Sequence, residues 1–232
     1  MHALQTCKCD TLLSKESRLS SHIFSRALNF PIYGGDCSAT AIASLAAGDI
    51  NGAIEEWRRV SSLGSCRARC VLAFIAIVGA PSIEANLEEA RRLSLSALSG
   101  ERGYANYLLG CIELKEKRLG SALPYLEESR KAGFVPATTL MAAQLLRVKN
   151  AGAESNRNAV IMLRSAIAKG HVPAKILLSR FYVSGRLGSY KRLVGAVLLA
   201  QALVSYALVA KYRVFSMQSF HYFDNFRRPL FV

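Results

Sequence analysis

The sequence predicts an all-α fold, a right-handed α-solenoid of about five antiparallel helix pairs, and three observations carry that expectation. The first is a repeated hexapeptide: Ala132-Gly133-Phe134-Val135-Pro136-Ala137 and Lys169-Gly170-His171-Val172-Pro173-Ala174 lie 37 residues apart. The second is a register of alanines around it. The residue four places after the turn glycine is Ala68, Ala105, Ala137 and Ala174, spaced by 37, 32 and 37. Eleven places before that glycine stand Ala53, Ala90, Ala122, Ala159 and Ala196, spaced by 37, 32, 37 and 37. The third is helical apolar spacing between these marks, as at Ile54, Trp57 and Val60. Self-similarity at such a period marks a stacked array, in which one unit cannot bury its apolar face without its neighbours.

The register also locates an irregularity. Seventeen residues separate Ala105 from Ala122, where the equivalent marks elsewhere lie 22 apart, so the missing residues belong to the loop between two helices. The turn position reads Gly64, Glu101, Gly133 and Gly170. Glycine suits a helix C-terminus because it enters the left-handed region without strain, and Pro136 and Pro173 then stand where a missing N–H costs nothing. Glu101 is the exception, with Gly100 and Gly103 beside it expected to keep the turn permissive. Alanine at a helix crossing lets two axes approach more closely than leucine would.

Taken in order, residues 1–36 carry no repeat mark and read as a partly ordered leader, with one helix from Ser20 to Leu28 ahead of Pro31 and Gly34-Gly35. Charges at Lys8, Asp10, Lys15, Glu16 and Arg18 break up any secretory apolar run. The array is expected over residues 37–210. Its first pair comprises a short alanine-rich segment, Ser38 to Ala47, and a helix from Ile50 to Leu63. Trp57, the only tryptophan, falls on that helix's apolar stripe and reads as a packing residue. The following pairs run from Cys66 to Val78 with Asn86 to Leu98, Tyr104 to Lys117 with Ser121 to Lys131, and Pro136 to Lys149 with Ser155 to Lys169. Pro124 is expected in a first helical turn, where proline is tolerated. The fifth pair begins at Pro173, and its second helix, with Ala207 where a closing glycine would stand, runs on to about Arg213. Residues 211–232 form a basic, aromatic tail.

The order Ala-x3-Leu-small, a loop, and a second helix with paired alanines before a glycine-bearing turn resembles the Sel1-like repeats, helix-pair units related to TPR-like repeats. Ala105/Leu109/Gly110, Ala68/Leu72/Ala73/Gly79 and Ala174/Leu178/Ser179/Tyr182/Gly185 carry the resemblance, which spans Ser38 to Ala210. The sequence departs from the pattern at Ala73, Ala142 and Ser179, where the family usually has glycine, and at Val60, Ser129 and Leu203, where the second alanine kept at Ala97 and Ala166 is replaced. The resemblance implies a non-catalytic scaffold for macromolecular assembly, in bacteria often in envelope or exopolysaccharide systems and in eukaryotes in membrane-bound quality control.

No motif of catalysis accompanies the repeats. No phosphate-cradling glycine loop appears, and no Ser or Cys carries a nucleophile signature. His2, His22, His171 and His221 are scattered, and His171 lies in an inter-repeat turn, where a structural role is expected. The six cysteines, Cys7, Cys9, Cys37, Cys66, Cys70 and Cys111, keep no constant place in the repeat and no zinc-ligand spacing. Idle thiols in a reducing, cytoplasmic setting follow, with no metal, no cofactor and no small-molecule substrate expected.

Charge is informative. Residues 1–154 hold 18 of the 30 Lys and Arg and 15 of the 16 acids, whereas residues 155–232 hold 12 basic residues against Asp224 alone. Arg157, Arg164, Lys175, Arg180, Arg186, Lys191 and Arg192 thus make a candidate face for an anionic polymer, an acidic lipid surface or an acidic protein. The alternative is a solvated outer face. Nucleic acid is a third reading, weaker because no base-reading motif accompanies the charge. Residues 193–210 contain no charge over 18 positions, the lower limit for a membrane-spanning helix. Their glycine, glutamine, serine and five alanines, and their place in the register, favour a buried terminal helix over a membrane anchor. The expected functions are therefore a protein-binding scaffold or, alternatively, a peripheral or single-helix-anchored, membrane-associated protein.

The far-ultraviolet circular dichroism spectrum should be dominated by the helical minima, with almost no strand contribution. A clear sheet signal from the folded chain would refute the repeat reading.

Overall fold

In the computed structural model, the described residues are 49–79, 83–147, 152–185 and 191–212, together with residues 40, 41, 44, 223–225 and 228–229. The expected leader and its Ser20 to Leu28 helix, Cys7, Cys9, Cys37 and Arg186 lie outside them. Nine helices occur among the described residues: α1 (Ile50–Ser62), α2 (Cys66–Val78), α3 (Leu87–Ala97), α4 (Arg102–Lys115), α5 (Leu119–Lys131), α6 (Val135–Arg147), α7 (Ala153–Ala168), α8 (Val172–Val183) and α9 (Lys191–Tyr212). Two short strands, β1 (Phe223–Asn225) and β2 (Arg228–Pro229), pair antiparallel near the C-terminus.

Each helix packs on the next, most extensively within α2/α3, α4/α5, α6/α7 and α8/α9, and first helices also touch across units, α2 on α4 and α6 on α8. This is an all-α solenoid of stacked pairs. α1 is the second helix of a preceding unit, and Thr40, Ala41 and Ser44 before it have helical backbone with Ala41 buried. The first helices form the buried layer: Val71, Ala73, Leu108, Leu109, Leu140 and Ala142 are all fully buried. The second helices bury one narrow stripe and present their other faces to solvent, as the limits of an amphipathic surface helix require.

Small residues set the helix spacing. Ala53, Ala68, Ala90, Ala105, Ala122, Ala137, Ala159 and Ala174 are each 0% exposed. At Gly110 a Cβ would stand 2.7 Å from Leu126 Cδ2, so α5 packs on the backbone of α4 there.

The turns between units are one motif used three times. Gly64, Gly133 and Gly170 have φ of 101°, 81° and 79°. In each, the following N–H donates to the carbonyl five residues back, Ser65 to Val60, Phe134 to Ser129 and His171 to Ala166, at 3.1 to 3.3 Å. These are the bonds that close a helix on a left-handed residue. The turn at Glu101 is built differently. Glu101 keeps φ at −127° and its N–H bonds Ala97 O in ordinary helical fashion. Its carboxylate instead receives Arg67 Nε of α2 at 2.8 Å. Gly100 serves close approach, since a Cβ there would meet Cys66 Sγ at 2.8 Å.

The shortened loop is the α4/α5 connection, where Glu116, Lys117 and Arg118 alone separate the helices and Lys117 takes φ of 60°. Pro124 departs from expectation. α5 begins at Leu119, so the proline lies in the second turn; it removes a bond to Gly120, whose exposed position leaves that carbonyl open to water.

Two corrections concern α9. Up to Val204 its buried residues are Gly195 and Ala202, while Ala196 and Leu203 are exposed, so the register slips by one residue between α8 and α9. The pair Gly195 and Ala202 then continues the seven-residue spacing of Ala90/Ala97 and Ala159/Ala166. Nor is the helix buried all round: Leu193, Val194, Val197, Leu203 and Val204 are exposed.

Gly195→Ala should therefore lower stability by roughly 1–3 kcal/mol, because its Cβ would stand 2.7 Å from Val183 N and 2.9 Å from Ser179 O, backbone atoms that cannot give way cheaply. Ala196→Ser should stay within about 0.5 kcal/mol of wild type. Thermal melts of the two variants decide the register, and the reverse order would restore the unshifted one.

Candidate functional site

Two surfaces distinguish this array, and the first follows from where its charges find partners. In the N-terminal units most of the described acids are tied to a nearby basic side chain. Along single helices Arg58 bonds Glu55, Arg59 bonds Glu56, Arg92 bonds Glu89 and Arg130 bonds Glu127, all at i,i+3 spacing. Other pairs cross between elements: Arg67 with Glu101, and Arg102 with Glu128. Glu113 is the centre of the largest group. Its carboxylate is 4% exposed, accepts Arg91 Nη1 at 2.5 Å and Arg118 Nε at 2.7 Å, and shares both arginines with Glu116. The hydrogen bond from Arg118, followed by that from Arg91 and the charge of both, holds its carboxyl below the usual carboxylate range against the opposing effect of burial. The network joins α3, α4 and the tight turn into α5. Sequence reasoning missed it because its members are far apart in the chain.

These ion pairs, together with that of Lys131 and Glu128, lie between Glu55 and Lys131. Beyond that point acids are scarce, with Glu154 the only one in α7, α8 and α9. Arg157 and Arg164 are exposed on α7, two turns apart. Arg180 is exposed near the end of α8 and Lys175 is half-buried in its first turn. Lys191 and Arg192 open α9, the first half-buried and the second exposed.

The structure brings part of this set together around the C-terminal end of α8. Arg164 Nη2 donates to Tyr182 Oη at 3.3 Å. Arg192 lays its guanidinium against Gly185, where a Cβ would meet Nε at 2.7 Å. A cation there faces the negative end of the α8 dipole. Lys175 lies at the opposite end of α8, and Arg157 two turns before Arg164, so the face is broad.

The second surface is a groove of about 510 Å³ between α1 and α3, running over α2. Ile54, Leu72, Ile75 and Leu93 line it, with Arg58, Glu89 and Arg92 among its polar wall. Periodicity alone could not reveal it, since its lining comes from three helices and the 83–86 segment.

The histidine and thiols occupy structural positions. His171 is 1% exposed and its Nδ1 lies 2.7 Å from Thr139 Oγ1, which ties the last inter-repeat turn to α6. Phe134, at the equivalent place one unit earlier, performs the same task by stacking on Tyr104 at 5.3 Å between centroids and contacting Tyr107. Cys70 and Cys111 are buried, and burial pushes the Cys111 thiol well above its ordinary range, which leaves it unreactive. Among the described residues no group of three metal-ligating side chains occurs, and no helix is long and apolar enough to cross a membrane.

No family model and no curated protein matches the chain. Among solved structures it is similar to a Sel1 repeat protein from Oxalobacter formigenes, with 18% identity, a TM-score of 0.55, and 70% of this chain and 70% of that chain covered. It is similar also to a protein from Pseudomonas aeruginosa, with 15% identity, a TM-score of 0.51, and 86% and 71% covered. At these identities the likeness is one of fold: stacked helix pairs of the Sel1-like kind.

Glu113→Gln should destabilise the fold by about 1–3 kcal/mol, because two arginines lose their shared charged acceptor. Its carboxyl is depressed in the folded state, so its contribution is full above the unfolded value near pH 4.5 and is lost as pH falls through the folded value. Wild type should therefore lose stability in acid more steeply than the variant. Parallel pH dependences in chemical denaturation would show that the network contributes nothing.

Proposed function

We propose, from the Sel1-like repeat fold, that this chain is a non-catalytic adaptor: its helical-repeat surface binds a protein partner, and its basic C-terminal half takes an anionic one. The observation that carries the reading is the division of charge. Most acids in α1 to α5 are paired within the fold, whereas Arg157, Arg164, Lys175, Arg180 and Arg192 lie in units whose only acid among the described residues is Glu154. Uncompensated cations on a rigid helical scaffold raise the local concentration of an anionic partner. Stability supplies no reason for them, since exposed charges contribute little to it.

The groove over α2 supports the protein-binding half of the reading. An apolar floor with polar groups of both signs on its wall suits an extended or helical segment carrying apolar anchors and mixed charge. Scaffolds of this kind act by holding partners together, and the absence of nucleophile, metal or phosphate motifs in the sequence accords with that role.

Replacement of Arg164, Lys175, Arg180, Lys191 and Arg192 by glutamine should weaken binding to a soluble polyanion such as heparin. The loss should be largest at low salt, since screening already erodes the attraction above about 0.15 M. Stability should change by about 1 kcal/mol or less. Equal polyanion affinity for wild type and the five-fold variant, both folded and compared at two ionic strengths, would reduce these residues to a solvated face.

A further inference from the structure

α9, the last helix among the described residues, has an exposed apolar face. One side of α9, with Gly195 and Ala202, packs on α8. The opposite side carries Leu193, Ala196, Val197, Ala200, Leu203 and Val204, all exposed, with Leu193 at 75% and Val204 at 59%. At 100° per residue Leu193, Val197, Ala200 and Val204 fall on one line, and Gln201 at its margin is the one polar residue from Leu193 to Val204. In every earlier unit the equivalent second helix is followed by another first helix that packs on it, α3 by α4, α5 by α6 and α7 by α8. A helix apolar on both sides belongs in an interior or against another apolar phase.

The surroundings of this face say what kind of phase. Lys191 and Arg192 open α9 and Lys211 lies in its last turn. Arg180 is exposed on the helix beneath. Glu154 and Asp224 are the only acids after Lys131. A second copy laid antiparallel along the same face would bring Lys191 and Arg192 against Lys211, like charges in both directions, in a chain of net charge +14. An anionic lipid surface has the opposite character, offering acyl chains to the valines and leucines and phosphate groups to the flanking cations. The sequence after α9 continues in the same vein, with Phe215, Phe220, Tyr222, Phe223, Phe226 and Phe231 among Arg213, Arg227 and Arg228; aromatic and basic residues are those favoured at a membrane interface.

We infer that α9 is a peripheral membrane-docking helix, which lies in the surface of an anionic bilayer by its outer face while its inner face keeps the repeat array attached. The inference rests on the anionic-partner reading of the basic half and names the partner as a lipid surface. Spanning is the wrong mode: Gly195 is packed against the α8 backbone, and α9 would have to leave that contact to cross. No helix among the described residues is long and apolar enough to do so. The helix therefore lies on the membrane.

The test is cosedimentation of the full chain with vesicles of phosphatidylcholine, alone or mixed with phosphatidylglycerol. Wild type should bind the mixed vesicles, not the neutral ones, and should be released by alkaline carbonate. The triple variant Leu193→Ser, Val197→Ser and Val204→Ser should lose about tenfold or more of that binding, because these are the side chains that leave water. Its heparin affinity and its circular dichroism should match wild type. A second readout needs no loss of function: in Val197→Trp, brominated acyl chains should quench the new tryptophan, whereas the buried Trp57 of wild type should not respond. Absence of binding to mixed vesicles with heparin binding intact overturns the lipid inference and spares the basic face; loss of both overturns the basic face as well. Vesicle binding unchanged in the triple variant, or a dimer in solution that this variant dissolves, assigns the face to another occupant.

Discussion

Close approach of helix backbones is the constraint on which this structure depends. The second helices are joined to the first by connections as short as Glu116 to Arg118, and the first helices must also touch each other across units. Both are possible only if crossing points carry almost no side chain. Alanine with 0% exposure at Ala68, Ala105, Ala137 and Ala174 meets this demand, and Gly110 and Gly195 meet it where even a methyl group would collide with Leu126 or with the α8 backbone. Larger residues fill the spaces so defined. Tyr104, Tyr107 and Phe134 form a ring cluster that seals one turn, and Thr139 with His171 seals the next with a hydrogen bond. Chemistry can change between units as long as spacing does not.

A linear array has no long-range contacts to correct a charge imbalance, because each unit interacts with its neighbours alone. Charge is consequently a local property here. Around α3, α4 and α5, Glu113 and Glu116 hold Arg91 and Arg118, and the arginines serve as ties between helices. In α7 and α8 Glu154 is the only acid, and the arginines are exposed, with Arg164 bonded to a tyrosine. One residue type is thus structural at one end of the molecule and available for recognition at the other.

The same geometry creates a difficulty at the end of the stack. Of the second helices, α3, α5 and α7 each have a first helix packed on either side, whereas among the described helices α9 packs extensively on α8 alone. α9 keeps the apolar composition of a helix covered on both sides although α8 covers only one. Its length, from Lys191 to Tyr212, exceeds that of every other helix among the described residues. Basic residues at both its ends place a charged border on an apolar strip, which couples the two unusual surfaces of the C-terminal half.

The sequence by itself determined the architecture: the alanine register placed the helix pairs, the 17-residue interval placed the shortened loop between α4 and α5, and the glycine turns appeared where that register required them. Those features are local and periodic, so a single chain displays them. Only the tertiary structure decided that α9 packs through Gly195 and not Ala196, because both are small and residue type does not distinguish them. It alone paired Arg91 with Glu113 and Arg67 with Glu101, partners 22 and 34 residues apart that no helical spacing connects. It also exposed the outer face of α9, which by residue type resembles a core. Burial depends on what stands opposite a side chain, and what stands opposite is a property of the assembled stack.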